Sequence, residues 1–125
     1  MPQWKPTGYP SMSPYLICND AEALIDFTAK VFGSTLLRRF DRPDGSLMHA
    51  EVRIDDSVLM IGGAAPGFEP TSPHIHLYLA DAEDVFNRAI AEGAEVVQPM
   101  ARKEKDDLRG GFRDPSGTNW WVATQ

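Results

Sequence analysis

Two histidines stand two residues apart in the run His-Ile-His-Leu-Tyr-Leu, residues 74–79. Polar and apolar residues alternate there, as they do in a half-buried β-strand, and residues i and i+2 of a strand share a face. His74, His76 and Tyr78 then project to one side. Two imidazoles on one face can be half of a divalent-metal site, or they can hydrogen-bond a ligand from the wall of a cavity. A second run, Leu-Met-His-Ala-Glu-Val-Arg-Ile at 47–54, sets His49 and Glu51 at the same spacing. Two histidines and a carboxylate would suffice for Zn or Fe(II). The same groups can also hydrogen-bond each other, water or a ligand.

Other chemistries find little support. Cys18 is the only cysteine, so it makes no internal disulfide, and alternation turns it toward the helix side of its strand. The run Gly-Gly-Ala-Ala-Pro-Gly at 62–67 lacks the Lys-Ser/Thr and the strand-to-helix setting of a phosphate loop. A net charge of −6 argues against a nucleic-acid partner, because phosphate contacts need surplus Lys and Arg. No apolar run approaches the roughly 18 residues that span a bilayer. The first ten residues lack the basic-then-apolar pattern of a leader. A cytoplasmic protein is the expectation.

The elements that position these residues come in two similar sets. Asn-Asp-Ala-Glu-Ala-Leu-Ile-Asp-Phe (19–27) resembles Ala-Asp-Ala-Glu-Asp-Val-Phe-Asn-Arg (80–88). Asp20 and Asp81 can cap helix N-termini. Leu24, Phe27 and Val31 recur at helical spacing, as do Val85, Ala89 and Ile90. Gly33 and Gly93 follow as helix ends. A strand-like run precedes each helix (14–18 and 74–79). Three follow each: 34–40, 47–54 and 57–63 in the first half, then 94–99, 108–113 and 119–124 in the second. The expectation is one α+β domain over residues 1–125, built of two β-α-β-β-β modules. Module one covers about 13–63, a Gly/Pro-rich linker 64–72, and module two about 73–125. Together they would form a curved mixed sheet around a concave cavity.

Alternation assigns faces within each strand. Ile75, Leu77 and Leu79 form one core row; Met48, Ala50, Val52 and Ile54 form another. Leu59 and Ile61 join the core, as do Trp120 and Val122. The opposite faces carry His49, Glu51 and Arg53; Val58, Met60 and Gly62; His74, His76 and Tyr78; and Asn119, Trp121 and Ala123. If the sheets curl together, these faces line one surface of mixed polar and apolar character, as small-molecule sites do. Trp121 offers a flat π face to a planar or cationic ligand, or it plugs a void or packs in a dimer interface. Tyr15, Tyr78 and Phe112 could extend that wall. Arg109 and Arg113 could reach a ligand carboxylate, or they are solvated strand ends. Trp4 and Tyr9, on a proline-rich arm, could clasp a partner subunit or cover one end of the site.

The runs "PYLICNDAEALIDF…VFG", "HAEVRIDDSVLMIGG", "HIHLYLADAEDVFNRAIAEGAEVVQP" and "RGGFRDPSGTNWW" resemble the vicinal oxygen chelate superfamily of glyoxalase I, bleomycin-resistance proteins and extradiol dioxygenases. The resemblance spans almost the whole chain from residue 14, and it is nearest to the single-domain glyoxalase-like branch. It implies the paired-module fold and, commonly, homodimers whose cavities are completed across subunits. It also implies four metal positions, which fall here on Ser13, Met60, His74 and Trp121. A thioether and an indole are poor substitutes for His or Glu there. The expected function is therefore binding of a small organic molecule by Tyr15, His49, Glu51, Met60, His74, His76, Tyr78, Arg109 and Trp121, without a cofactor. The alternative is a metal-dependent lyase, isomerase or dioxygenase with a divalent cation on His49, Glu51, His74 and His76.

Overall fold

The computed structural model describes residues 3–103 and 105–125. Two β-α-β-β-β modules follow one another. The first comprises β1 (Tyr15–Cys18), α1 (Ala21–Phe32), β2 (Thr35–Asp41), β3 (Leu47–Ile54) and β4 (Ser57–Gly63). The second comprises β5 (His74–Tyr78), α2 (Ala82–Ala91), β6 (Glu95–Arg102), β7 (Leu108–Arg113) and β8 (Asn119–Thr124). Each forms its own four-stranded mixed sheet, in the orders β1-β4-β3-β2 and β5-β8-β7-β6. The first strand of each module runs parallel to the last, and the other pairings are antiparallel.

The helices form where the apolar stripe and the end signals coincide. Asp20 caps α1 by accepting from the Ala23 amide at 3.0 Å, and Gly33 ends it in the left-handed conformation at φ 67°. The second helix differs from expectation. Asp81 makes no side-chain cap; the Ala82 amide instead donates to the Thr124 hydroxyl at 3.1 Å, so β8 supplies the acceptor.

Both helices and the apolar faces of both sheets share one core. Phe32 lies 4.8 Å from Trp120 and 6.2 Å from Phe112, and Phe27 lies 6.0 Å from Phe112, measured between ring centroids. Helix α1 packs on β3, β4 and α2, and its Phe27 and Phe32 side chains reach the sheet of the other module. Arg88 of α2 clamps it by donating twice to the Val31 carbonyl, at 2.9 and 2.7 Å. Since the apolar faces meet in one cluster, the opposite face of each sheet looks away from it.

Most of the expected core rows are buried, including Ala50, Val52, Ile54, Leu59, Ile61, Trp120 and Val122. Four positions depart from expectation. Met48 is exposed, because the β2–β3 register shifts between Phe40↔His49 and Asp41↔Leu47 and puts Leu47 in the core instead. Phe112 belongs to the core, not to a ligand wall, because it pairs with Trp120 in register. Val58 is buried, in a groove that it lines with Pro10, Met12 and Pro14 of the N-terminal arm and with His76 and Tyr78 of β5. Ala123 is fully buried although it alternates with core residues.

Candidate functional site

On the open face of the first sheet the antiparallel register brings Glu51 opposite Met60 and His49 opposite Gly62. Tyr15, on β1, sits level with Met60. A Cβ at Gly62 would fall 2.9 Å from the Tyr15 ring and 3.2 Å from its hydroxyl. The bare glycine therefore lets the phenol lie across β4 toward His49. There the Tyr15 hydroxyl meets His49 Nδ1 at 3.1 Å, and His49 Nε2 meets Glu51 Oε2 at 2.8 Å. The other carboxylate oxygen accepts from the Tyr9 hydroxyl at 2.5 Å, with Arg38 Nε 3.8 Å away. The arm residue Tyr9 thus closes over Glu51, which is only 5% exposed. Phe40 flanks the imidazole on the far side, its ring centroid 6.2 Å away.

Glu51 is held as a carboxylate. Burial works to raise its pKa, but the hydrogen bonds from Tyr9 and His49 and the positive charge of Arg38 outweigh burial, and the net shift is downward. Tyr9 shifts up, through desolvation first and then its bond to Glu51. A depressed carboxyl contributes stability that is complete above its unfolded pKa of about 4.3 and is lost as pH falls through the lower folded value. Denaturant titrations of the wild type and Glu51→Gln should therefore differ most near neutrality and converge below about pH 4. A stability gap that is constant with pH would show that Glu51 is not held ionised.

The open face of the second sheet repeats this geometry with different residues. His76 pairs with Trp121 as Tyr15 pairs with Met60, and Gly111 lies opposite Trp121 as Glu51 lies opposite Met60. Where the first sheet carries a carboxylate, the second carries a glycine with an indole on it: a Cβ at Gly111 would be 2.7 Å from Trp121 Cε3. The indole N–H donates to His74 Nδ1 at 3.0 Å, and the two rings lie nearly parallel at 19°. The result is a flat, half-exposed aromatic platform. Beside it Arg109 Nε donates to His76 Nε2 at 3.2 Å, while its terminal nitrogens pair with Asp106 and Asp107 at 3.3 and 3.1 Å. Tyr78 donates to the same Asp107 at 2.7 Å. Desolvation and the Arg109 charge push the His76 pKa down, which favours the neutral imidazole that this bond requires.

The nine expected site residues thus separate into two groups. Tyr15, His49, Glu51 and Met60 share the first open face; His74, His76, Tyr78, Arg109 and Trp121 share the second. His49 and Glu51 lie on a different sheet from His74 and His76. Among the described residues no three His, Cys, Asp or Glu side chains converge in one chain. The four positions at which the resemblance implies a cation do not fit one either. Ser13, Met60 and Trp121 offer a hydroxyl, a thioether and an indole, and the His74 Nδ1 lone pair is taken by Trp121. Arg109 has its three nitrogens engaged by Asp106, Asp107 and His76. Arg113 is likewise tied, to Asn119 at 2.9 Å and Glu95 at 3.7 Å. Cys18 is buried, and desolvation pushes its thiol up to about 11, far from a nucleophile's range.

Sequence reasoning missed Arg38 and Asp107, and gave Tyr9 no carboxylate partner. Tyr9 and Glu51 are 42 residues apart, and no periodicity links them. The cradle at Gly111 had a signal, since registering the β7–β8 hairpin sets that glycine opposite Trp121, whereas Gly62 meets Tyr15 only through the non-local β1–β4 pairing.

The fold defines a class: proteins of paired β-α-β-β-β modules with one open face per sheet. Comparison with known proteins gives the particular family. The family model "Glyoxalase/Bleomycin resistance protein/Dioxygenase superfamily" matches residues 11–122, and the chain belongs to that superfamily. An uncharacterised protein of Mycobacterium bovis is 35% identical over 122 residues, covering 89% of this chain and 80% of that one. TioX of Micromonospora sp. ML1 has a similar structure, with a TM-score of 0.78 at 24% identity over 92% of this chain and 98% of that one. The fosfomycin resistance protein FosX of Listeria monocytogenes does too, with a TM-score of 0.71 at 16% identity over 93% and 90% of the two chains. Among the described residues no helix is long and apolar enough to cross a membrane.

Proposed function

We propose that the protein binds a small, flat organic molecule, without the family's standard metal, in a cavity made by two copies of the chain. The first open face of one copy would meet the second open face of the other. The observation that carries this reading is the division of the candidate residues between two outward faces, each half of a site. One half has a polar network, the other an aromatic platform. Both carry large exposed rings that water solvates poorly: Tyr15 is 52% and Phe40 49% exposed on one, Tyr78 62% on the other. The net charge of −6 favours a cationic ligand over an anionic one. A sequestering, resistance-type role in the cytoplasm fits such a site, and the resistance function named for FosX lends it a parallel. The single buried thiol suits a reducing compartment.

The competing reading is a metal-dependent lyase, isomerase or dioxygenase, in which His49 and Glu51 of one copy join His74 and His76 of the other around a cation. Metal content separates the two. The protein is incubated with Zn, Ni, Co, Mn and Fe(II), desalted and counted by elemental mass spectrometry. Binding without metal is supported if no stoichiometric metal is retained. It is overturned if about one metal per chain is retained and is lost in both His49→Ala and His74→Ala.

A further inference from the structure

The chain Glu51–His49–Tyr15 is joined in one direction. Glu51, ionised, accepts from His49 Nε2, so the proton of a neutral imidazole sits on Nε2 and the Nδ1 lone pair faces the Tyr15 hydroxyl. The phenol must then donate to Nδ1. This order, a buried carboxylate orienting an imidazole that accepts from a hydroxyl, is the arrangement that activates hydroxyl nucleophiles. The carboxylate end is shut by Tyr9 and Arg38. The hydroxyl end belongs to a side chain that is half exposed on an open face. Gly62 leaves the space that lets the phenol reach the imidazole. Tyr9 and Arg38 both address Oε1, so His49 is the partner of Oε2, and the imidazole that satisfies it leads outward to the Tyr15 phenol.

We infer that Tyr15 is a nucleophilic site, activated by His49 and Glu51, that accepts an acyl group from small activated esters. The Tyr15 oxygen attacks the ester carbonyl carbon. A new C–O bond forms, the bond to the leaving oxygen breaks, the phenol proton passes to His49 Nδ1, and the leaving group departs as its anion. The imidazole then returns the proton to water. No metal, oxidant or second copy of the chain takes part, so the inference stands or falls apart from the composite cavity.

The probe is 4-nitrophenyl acetate, with release of 4-nitrophenolate followed by absorbance and the acetylated residues mapped by tandem mass spectrometry. Tyr78 is the internal control. It is more exposed than Tyr15, at 62% against 52%, but its hydroxyl is bound to Asp107, and its pKa is raised first by that bond. Tyr15 is expected to acetylate at least about tenfold faster than Tyr78 in the same molecule, a modest share of what a positioned base supplies. His49→Phe, which keeps a ring between Tyr15 and Phe40, and Glu51→Gln should each bring Tyr15 down toward the Tyr78 rate. Equal rates at Tyr15 and Tyr78 in the wild type would overturn the inference, and that comparison needs no variant to fold. So would acetyl groups found on His49 in place of Tyr15, or a Tyr15 rate unchanged in His49→Phe.

Discussion

Trp120→Ala is expected to lower the unfolding free energy by about 3–5 kcal/mol, the usual cost of truncating a buried indole. The side chain is 1% exposed and sits where the two modules meet, against Phe32 of the first. Its N–H donates to Asp114 Oδ2 at 2.7 Å, and Asp114 is itself 4% exposed. Removing the indole opens a cavity and strips a buried carboxylate oxygen of its partner, and both effects destabilise. Trp120→Phe separates them: it keeps most of the volume and should cost about 1–3 kcal/mol through the lost donor. Urea denaturation followed by circular dichroism measures both. A loss for Trp120→Ala of the size seen at exposed sites, within about 0.5 kcal/mol, would contradict the shared core.

The neighbouring Trp121→Ala should do the reverse. Its indole lies on the open face over Gly111, bonded only to His74, so folding should lose about 1 kcal/mol or less. Binding should suffer most. A planar aromatic cation, for which an acridine dye is a convenient probe, would lose its stacking platform, and its affinity should fall about thirtyfold or more, the scale of an aromatic hot spot. The dye's own fluorescence anisotropy is the readout, because Trp4 and Trp120 also emit. Unchanged dye affinity would remove Trp121 from the site. A loss of stability comparable to that of Trp120→Ala would make it a structural plug.

Much of the fold was legible because its strands obey period two and its helices carry paired end signals. The runs 47–54, 57–63, 108–113 and 119–124 coincide with β3, β4, β7 and β8 as found. Met48 shows where that legibility ends. Alternation placed it in the core, but a β2–β3 register shift, invisible to a single strand's pattern, exposed it and buried Leu47. Asp81 makes no side-chain cap, and the first amide of α2 finds its acceptor on Thr124, more than forty residues away. Apart from Phe112, which is in the core, the residues offered for the site lie on the strand faces that alternation assigned. Their grouping did not follow, because no local pattern encodes how one module packs on the other. That relation rests on Phe27 and Phe32 of α1 reaching Phe112 and Trp120, contacts made only after both modules exist.

The central claim is that one ligand site draws its two halves from two chains. The measurement that tests it most directly mixes two defective variants, His49→Ala/Glu51→Gln and Trp121→Ala, by co-expression. Each alone should bind the acridine dye poorly. In a symmetric dimer with random pairing, half of the particles are mixed and each mixed particle holds one intact site, so about a quarter of all sites should recover wild-type affinity. A mixture that binds no better than the average of its two components would contradict the claim.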